Sequence, residues 1–284
     1  MVNLNEDLIP SAHLIEKCGI GEGDFEALGS GMINRFIGRG YLNHKSRILD
    51  IGCGLGRLAR PLTKYLDEGK YYGMDINKDS INWCQTHYAS HKNFHFEWMD
   101  LYSKFYNPTA VRKASAYKFP LEDNSFDFVM LSSVFTHMIL NDVDNYLQEI
   151  ARLLKPGGRC YITYFLLTPE LHASFAIQGK YFPIKGGFVD DKDVPEKVVF
   201  LREDMIRELY AKHNLEIEKI IYGIWPGRQI ASGYQDEIIA KGTEYPNGEL
   251  AKLRNRLTWR LRIGNYIIRQ SCKYFFQKIK LLAP

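Results

Sequence analysis

The 284-residue chain has no run of about 18 consecutive apolar residues, which excludes a membrane-spanning helix as its organising feature. It has no Cys-x-x-Cys pair either. Its five cysteines, Cys18, Cys53, Cys84, Cys160 and Cys272, are odd in number and widely scattered, so their spacing suggests neither a disulfide framework nor a metal site. They read as small buried hydrophobes. Internal repeats and low-complexity stretches are absent. The opening Met1-Val2-Asn3-Leu4-Asn5-Glu6-Asp7 lacks the basic segment and apolar core of a secretory leader, and the expectation is a soluble, cytoplasmic chain. Basic charge is scarce outside one segment: residues 247–284 carry nine Lys or Arg against Glu249 alone, whereas the other 246 residues sum to −4 within a total of +4. Enzymes of nucleic acids usually carry basic surface around the active cleft, so this distribution disfavours a nucleic-acid partner.

With 45% hydrophobic residues the chain is long enough for one substantial core with appendages. Short apolar runs at 47–51, 71–75, 94–98, 126–131 and 159–165 read as strands. Between them, helices are predicted over 58–66 and 80–88. A third is predicted after an Asn141 cap, where Val143, Tyr146, Leu147, Ile150 and Leu154 follow helical spacing until Pro156-Gly157-Gly158. A helix over 203–213 and strands over 215–222 and 234–241 follow. Such alternation is the pattern of a parallel sheet covered by helices on both faces. Residues 1–46 form an N-terminal helical cap in this reading, 47–246 the catalytic domain and 247–284 a basic amphipathic tail. Within the domain, residues 166–200 break the rhythm with Pro169, Gly179, Pro183, Gly186, Gly187 and Pro195, as a lid or acceptor wall would.

The chemistry concentrates in Asp50-Ile51-Gly52-Cys53-Gly54-Leu55-Gly56, where glycines join a strand to a helix and let backbone approach a ligand. Gly54 to Ala59 also fit the dinucleotide fingerprint, with Asp75 suitably downstream, so a nicotinamide-dependent oxidoreductase is the competing reading. Asp50 argues against it, because a carboxylate beside the glycine turn would repel a pyrophosphate. A ligand carrying an ammonium and a sulfonium would instead be attracted. Asp75, ending the second strand, is placed to accept from two ribose hydroxyls, and Asp100, after the third, to accept from an adenine amino group.

The run Ile48 to Arg57 resembles the first motif of class I S-adenosylmethionine-dependent methyltransferases. Tyr72-Gly73-Met74-Asp75-Ile76 resembles the second-strand motif, Phe126-Asp127-Phe128-Val129 the fourth strand, and Leu153-Leu154-Lys155-Pro156-Gly157-Gly158 the turn into the fifth. The resemblance implies an α/β, Rossmann-like, doubly wound and mostly parallel seven-stranded sheet with an antiparallel last strand. It implies S-adenosyl-L-methionine as cofactor, with contacts at Asp50, Gly52, Gly54, Asp75, Ile76, Asp100, Leu101 and Ser132. Tyr106-Asn107-Pro108, Ile81-Asn82-Trp83-Cys84 and Tyr234-Gln235-Asp236 resemble the small-molecule and glycan O-methyltransferases, which implies such an acceptor. Leu131-Ser132-Ser133-Val134-Phe135 departs from the Asn/Asp-Pro-Pro-aromatic signature that holds planar amino groups, which disfavours methylation of a base or amide nitrogen.

His137, just beyond the fourth strand, stands where similar enzymes face the methyl group. It reads either as the base that takes an acceptor's hydroxyl proton or as a partly buried histidine bracing the next helix. A non-catalytic S-adenosylmethionine-binding partner protein would keep the acids and glycines without a productive acceptor site. In the tail, Leu250, Leu253, Leu257 and Leu261, then Ile268, Cys272, Phe275, Ile279 and Leu282, form two apolar stripes flanked by basic residues. That pattern suits an anionic membrane surface, or packing on the domain or on a second subunit.

Overall fold

Side chains alternate between two faces along every central strand, and the two faces bury different partners. From β1 (Arg47–Ile51), β4 (Phe126–Leu131) and β5 (Leu154–Tyr164), the residues Leu49, Ile51, Val129, Leu131, Cys160 and Ile162 point into one core. Ile48, Phe128, Met130 and Tyr161 point into the other. Helices α5 (Leu140–Leu153) and α7 (Glu203–Lys212) cover the first face with Val143, Leu147, Ile150, Ile206 and Tyr210. The second is covered by α2 (Phe25–Gly38), through Ile33 and Phe36, and by α4 (Lys78–His87), through Cys84. The structure, a computed structural model, describes residues 8–18, 25–229 and 233–243; the tail expected over 247–284 lies outside them. A short helix α1 (Ala12–Lys17) precedes α2.

Seven strands make one sheet in the order β10-β11-β5-β4-β1-β2-β3, with β2 at Lys70–Asp75, β3 at Phe94–Trp98, β10 at Leu215–Ile221 and β11 at Asp236–Gly242. The pairs among β3, β2, β1, β4 and β5 are parallel, whereas β11 runs antiparallel to both β5 and β10. This is the Rossmann-like architecture expected. The strand order reverses between β1 and β4, so their carboxyl ends open a crevice where ligands of such sheets bind. Among the described residues no helix is long and apolar enough to cross a membrane.

Three local expectations change. The helix predicted over 58–66 is only α3 (Ala59–Leu62), because the N–H groups of Thr63 and Tyr65 reach back three residues and tighten the following turns. The N-cap of α5 is Ile139 rather than Asn141, which lies inside the helix. Strand β5 begins at Leu154, and residues 155–158 form an irregularity between the Phe126 and Phe128 pairings.

The 166–200 insertion is ordered as a second sheet, in the order β6-β9-β8-β7. It comprises β6 (Leu166–Leu167), β7 (Phe182–Ile184), β8 (Gly187–Val189) and β9 (Val199–Arg202), with helix α6 (Pro169–Gln178). Leu167, Phe175, Phe188 and Phe200 give it a core of its own. Asp236 anchors it. That fully buried carboxylate accepts from Leu166 N–H at 2.7 Å, Gly223 N–H at 2.8 Å, Trp225 Nε1 at 2.6 Å and Arg228 at 2.8 Å.

Candidate active site

The turn after β1 is held against the end of β2 by main-chain bonds. Gly52 N–H donates to the Met74 carbonyl at 2.7 Å and Cys53 N–H to the same oxygen at 3.2 Å. Gly52 takes φ 77°, and a Cβ there would collide with Val134, so the position needs glycine twice over. Gly54 N–H donates to Asp75 Oδ2 at 2.7 Å, while Asn77 N–H donates to Oδ1, also at 2.7 Å. Burial raises the Asp75 pKa and these backbone donors oppose the rise.

Asp50 is buried beneath the turn. Its Oδ2 accepts from the Tyr71 hydroxyl at 2.6 Å and its Oδ1 has no partner. Burial pushes its carboxyl up to about 7; Tyr71 opposes the shift, the Asp75 charge adds to it and Arg57 relieves it. The Arg57 guanidinium is in turn lowered by burial, with the Asp50 charge opposing.

A cavity of about 530 Å³ opens at these strand ends. Of the predicted residues, Gly52, Gly54, Asp75, Ile76, Leu101, Ser132 and His137 line it. Asp50 does not reach the wall and acts on it through its charge. Asp100 is exposed, accepts from Asn107 Nδ2 at 3.2 Å and is not on the wall.

Sequence reasoning missed Arg57, Ser115, Ser133, Asp142 and Glu196, all of which line the cavity. Asp142 carried only the ordinary signal of a helix start, and Arg57 stood only as the end of the glycine-turn motif. Ser115 hydrogen-bonds Asp142 across the chain, a pairing with no local signature. Ser133 has φ 61°, which its sequence does not announce, and its N–H donates to Thr163 Oγ1 at 2.7 Å.

His137 ends the 3-10 turn Phe135–His137. Its Nδ1 lies 3.0 Å from the Glu196 carbonyl in the insertion. A carbonyl only accepts, so Nδ1 carries the hydrogen and Nε2 keeps its lone pair. The Tyr106 hydroxyl lies 3.5 Å from Nε2, and the Phe105 ring stacks parallel to the imidazole at 6.2 Å. Burial lowers the His137 pKa, against the pull of the Glu196 and Lys197 carbonyls and the Asp190 charge. Burial pushes Tyr106 up to about 12. At neutral pH the two side chains are therefore a neutral imidazole and a protonated phenol. The ring braces the inserted sheet rather than the helix that follows it.

Residues 49–162 match the family profile described as a methyltransferase domain. An uncharacterized methyltransferase of Schizosaccharomyces pombe is 31% identical over 118 residues, which are 42% of this chain and 39% of that protein. A fatty-acid O-methyltransferase of Mycolicibacterium smegmatis is 31% identical over 122 residues, covering 43% and 36%. The chain thus spans less than two-fifths of the length of these curated relatives. Among solved structures, a SAM-dependent methyltransferase of Methanosarcina mazei superposes with a TM-score of 0.51 at 22% identity, over 73% of this chain and 97% of that one.

Proposed function

Since residues 49–162 belong to the methyltransferase domain family of class I S-adenosylmethionine-dependent enzymes, we propose that the chain methylates a hydroxyl oxygen of a small-molecule or glycan acceptor, with His137 as base. S-adenosylmethionine, when bound, supplies an electrophilic methyl group on a sulfonium. The cavity suits it chemically. The unpartnered Asp50 Oδ1 leaves negative potential under the glycine turn for the ammonium, and Asp75 at the second strand end would take the ribose hydroxyls. The Arg57 guanidinium on the same wall would take the carboxylate. The same Asp50 opposes a pyrophosphate, which weighs against a nicotinamide cofactor.

The observation that carries the reading is the His137 tautomer. With Nδ1–H held by the Glu196 carbonyl, Nε2 can take the proton of an acceptor hydroxyl while the ring stays in place. The buried thiols of Cys53, Cys84 and Cys160 suit a reducing, cytoplasmic setting. Contact of the 247–284 segment with a membrane or a second subunit stays part of the proposal on the strength of its sequence pattern alone. Incubation with methyl-labelled S-adenosylmethionine and fractionated lysate tests the reading. Label should move to an alkali-stable ether in a small-molecule or glycan fraction; transfer to nitrogen or carbon, or none, refutes it.

A further inference from the structure

Glu196 reaches the cavity from the inserted sheet, in the 3-10 turn Pro195–Lys197 before β9. Its main chain is committed, since the carbonyl accepts from His137 Nδ1 at 3.0 Å. Its side chain is not: Oε2 is buried and has no hydrogen-bond partner. A buried carboxylate oxygen without a donor is destabilising, and a ligand that brings a donor relieves that cost. Asp142 stands on the same wall, its carboxyl raised first by burial and further by the Glu196 charge, with Ser115 opposing. This end of the cavity therefore asks for hydrogen-bond donors.

The sign of the charge narrows the ligand. An anionic acceptor would set carboxylate against carboxylate in a cavity of low dielectric. A cationic one would meet the sulfonium together with Arg57 and Lys113 on the wall. A neutral hydroxyl meets neither repulsion. The Tyr106 ring, on the cavity wall beside His137, adds an apolar face for the carbons of a cyclic acceptor.

We propose that Glu196 selects the acceptor, its free carboxylate oxygen taking a hydrogen bond from a second hydroxyl adjacent to the one presented to His137, so that preferred acceptors are vicinal diols. The proposal rests on the methyl-transfer reading and names the acceptor class within it. One residue then serves both groups: its carbonyl orients the base and its carboxylate orients the diol.

The test uses the full chain saturated with S-adenosylhomocysteine, whose binding is measured first by calorimetry. Two probe pairs are then titrated by saturation-transfer NMR: catechol against phenol, and trans-1,2-cyclohexanediol against cyclohexanol. In at least one pair the diol should bind roughly 10-fold or more tightly, the size of a hydrogen bond to a charged acceptor. Preference in the aromatic pair points to a catechol-like acceptor, and preference in the saturated pair to a sugar-like one. Glu196→Ala should abolish the preference and Glu196→Gln, which keeps a carbonyl acceptor, should retain part of it, with S-adenosylhomocysteine affinity unchanged in both. A preference that survives Glu196→Ala, equal binding within both pairs, or no binding of either diol overturns the proposal. If Glu196→Ala loses cofactor binding, Glu196→Gln decides, and an undiminished preference there overturns it. Failure of the wild type to bind S-adenosylhomocysteine sinks the methyl-transfer reading and this one with it; cofactor binding without diol preference sinks only the role of Glu196.

Discussion

The Tyr71 hydroxyl donates to Asp50 Oδ2 at 2.6 Å, while the other oxygen of the same buried carboxylate has no partner. One hydrogen bond does not offset full burial, and the carboxyl rises from 3.8 to about 7. The folded chain thus holds this proton more tightly than the unfolded chain. Its contribution to stability is fully present below pH 3.8 and is lost as pH rises through about 7. Asp50→Asn should therefore stabilise the ligand-free protein at pH 8, by on the order of 2–4 kcal/mol, and change little at pH 4. Cofactor affinity should move the other way, weakening in the variant and, in the wild type, as pH falls below about 7. Urea unfolding at the two pH values, with calorimetry, checks both signs; equal destabilisation at pH 4 and pH 8 would exclude a buried ionised carboxylate as the cause.

Asp75 ends β2, Asp100 lies just beyond the end of the adjacent β3, and the two differ in setting. Asp75 is on the cavity wall and holds the Gly54 and Asn77 N–H groups, whereas Asp100 is exposed and off the wall. Asp75→Ala should weaken cofactor binding by about 1–3 kcal/mol. Asp100→Ala should change it by less than about 0.5 kcal/mol, as a surface substitution does. Calorimetric titration of both variants decides, and the reverse ranking would restore the adenine contact expected of Asp100.

His137 is active in its neutral form if it takes the acceptor proton, and burial keeps its pKa below 6.5. The rate at saturating substrate should rise with pH through an apparent pKa below that value and be flat above it. His137→Ala should lose that dependence and fall by roughly 100-fold or more in turnover, with cofactor affinity nearly unchanged. A folded variant that turns over near the wild-type rate would leave proximity as the source of catalysis.

Among the described residues, those on the cavity wall run from Cys18 to Glu196. Removing residues 247–284 should therefore leave S-adenosylmethionine affinity unchanged, as measured by calorimetry. If the basic stripe serves a membrane, the full chain should float with anionic liposomes at low salt and detach as salt rises, and the truncated chain should not float. Absence of flotation at low salt would leave packing on the domain or on a second copy.

Much of the sheet was legible because its information is local. The alternation at Ile48-Leu49-Asp50-Ile51 and Phe128-Val129-Met130-Leu131 determines which side chains face which core before any neighbour is chosen. The glycine turn and the acid ending the second strand were legible for the same reason, since turn chemistry and strand ends are written in adjacent residues. The insertion was not legible as a sheet, because strands of two to four residues carry too few positions to show a period.

By itself, then, the sequence determined the order of chemistry along the chain: glycines after β1, Asp75 at the end of β2, His137 after β4. Only the tertiary structure decided which of these groups share a cavity. Asp100 carries the same carboxylate as Asp75 and follows the neighbouring strand, yet packing leaves it exposed and bonded to Asn107. Glu196 carried no local signal, and it meets His137 because the inserted sheet is docked on the domain, with Val189, Val199 and Leu201 packed into the core that holds Phe135 and the Leu166 N–H bonded to Asp236. The contact joins residues 59 positions apart. Its register depends on how two cores pack against each other, and no periodicity within either segment encodes that.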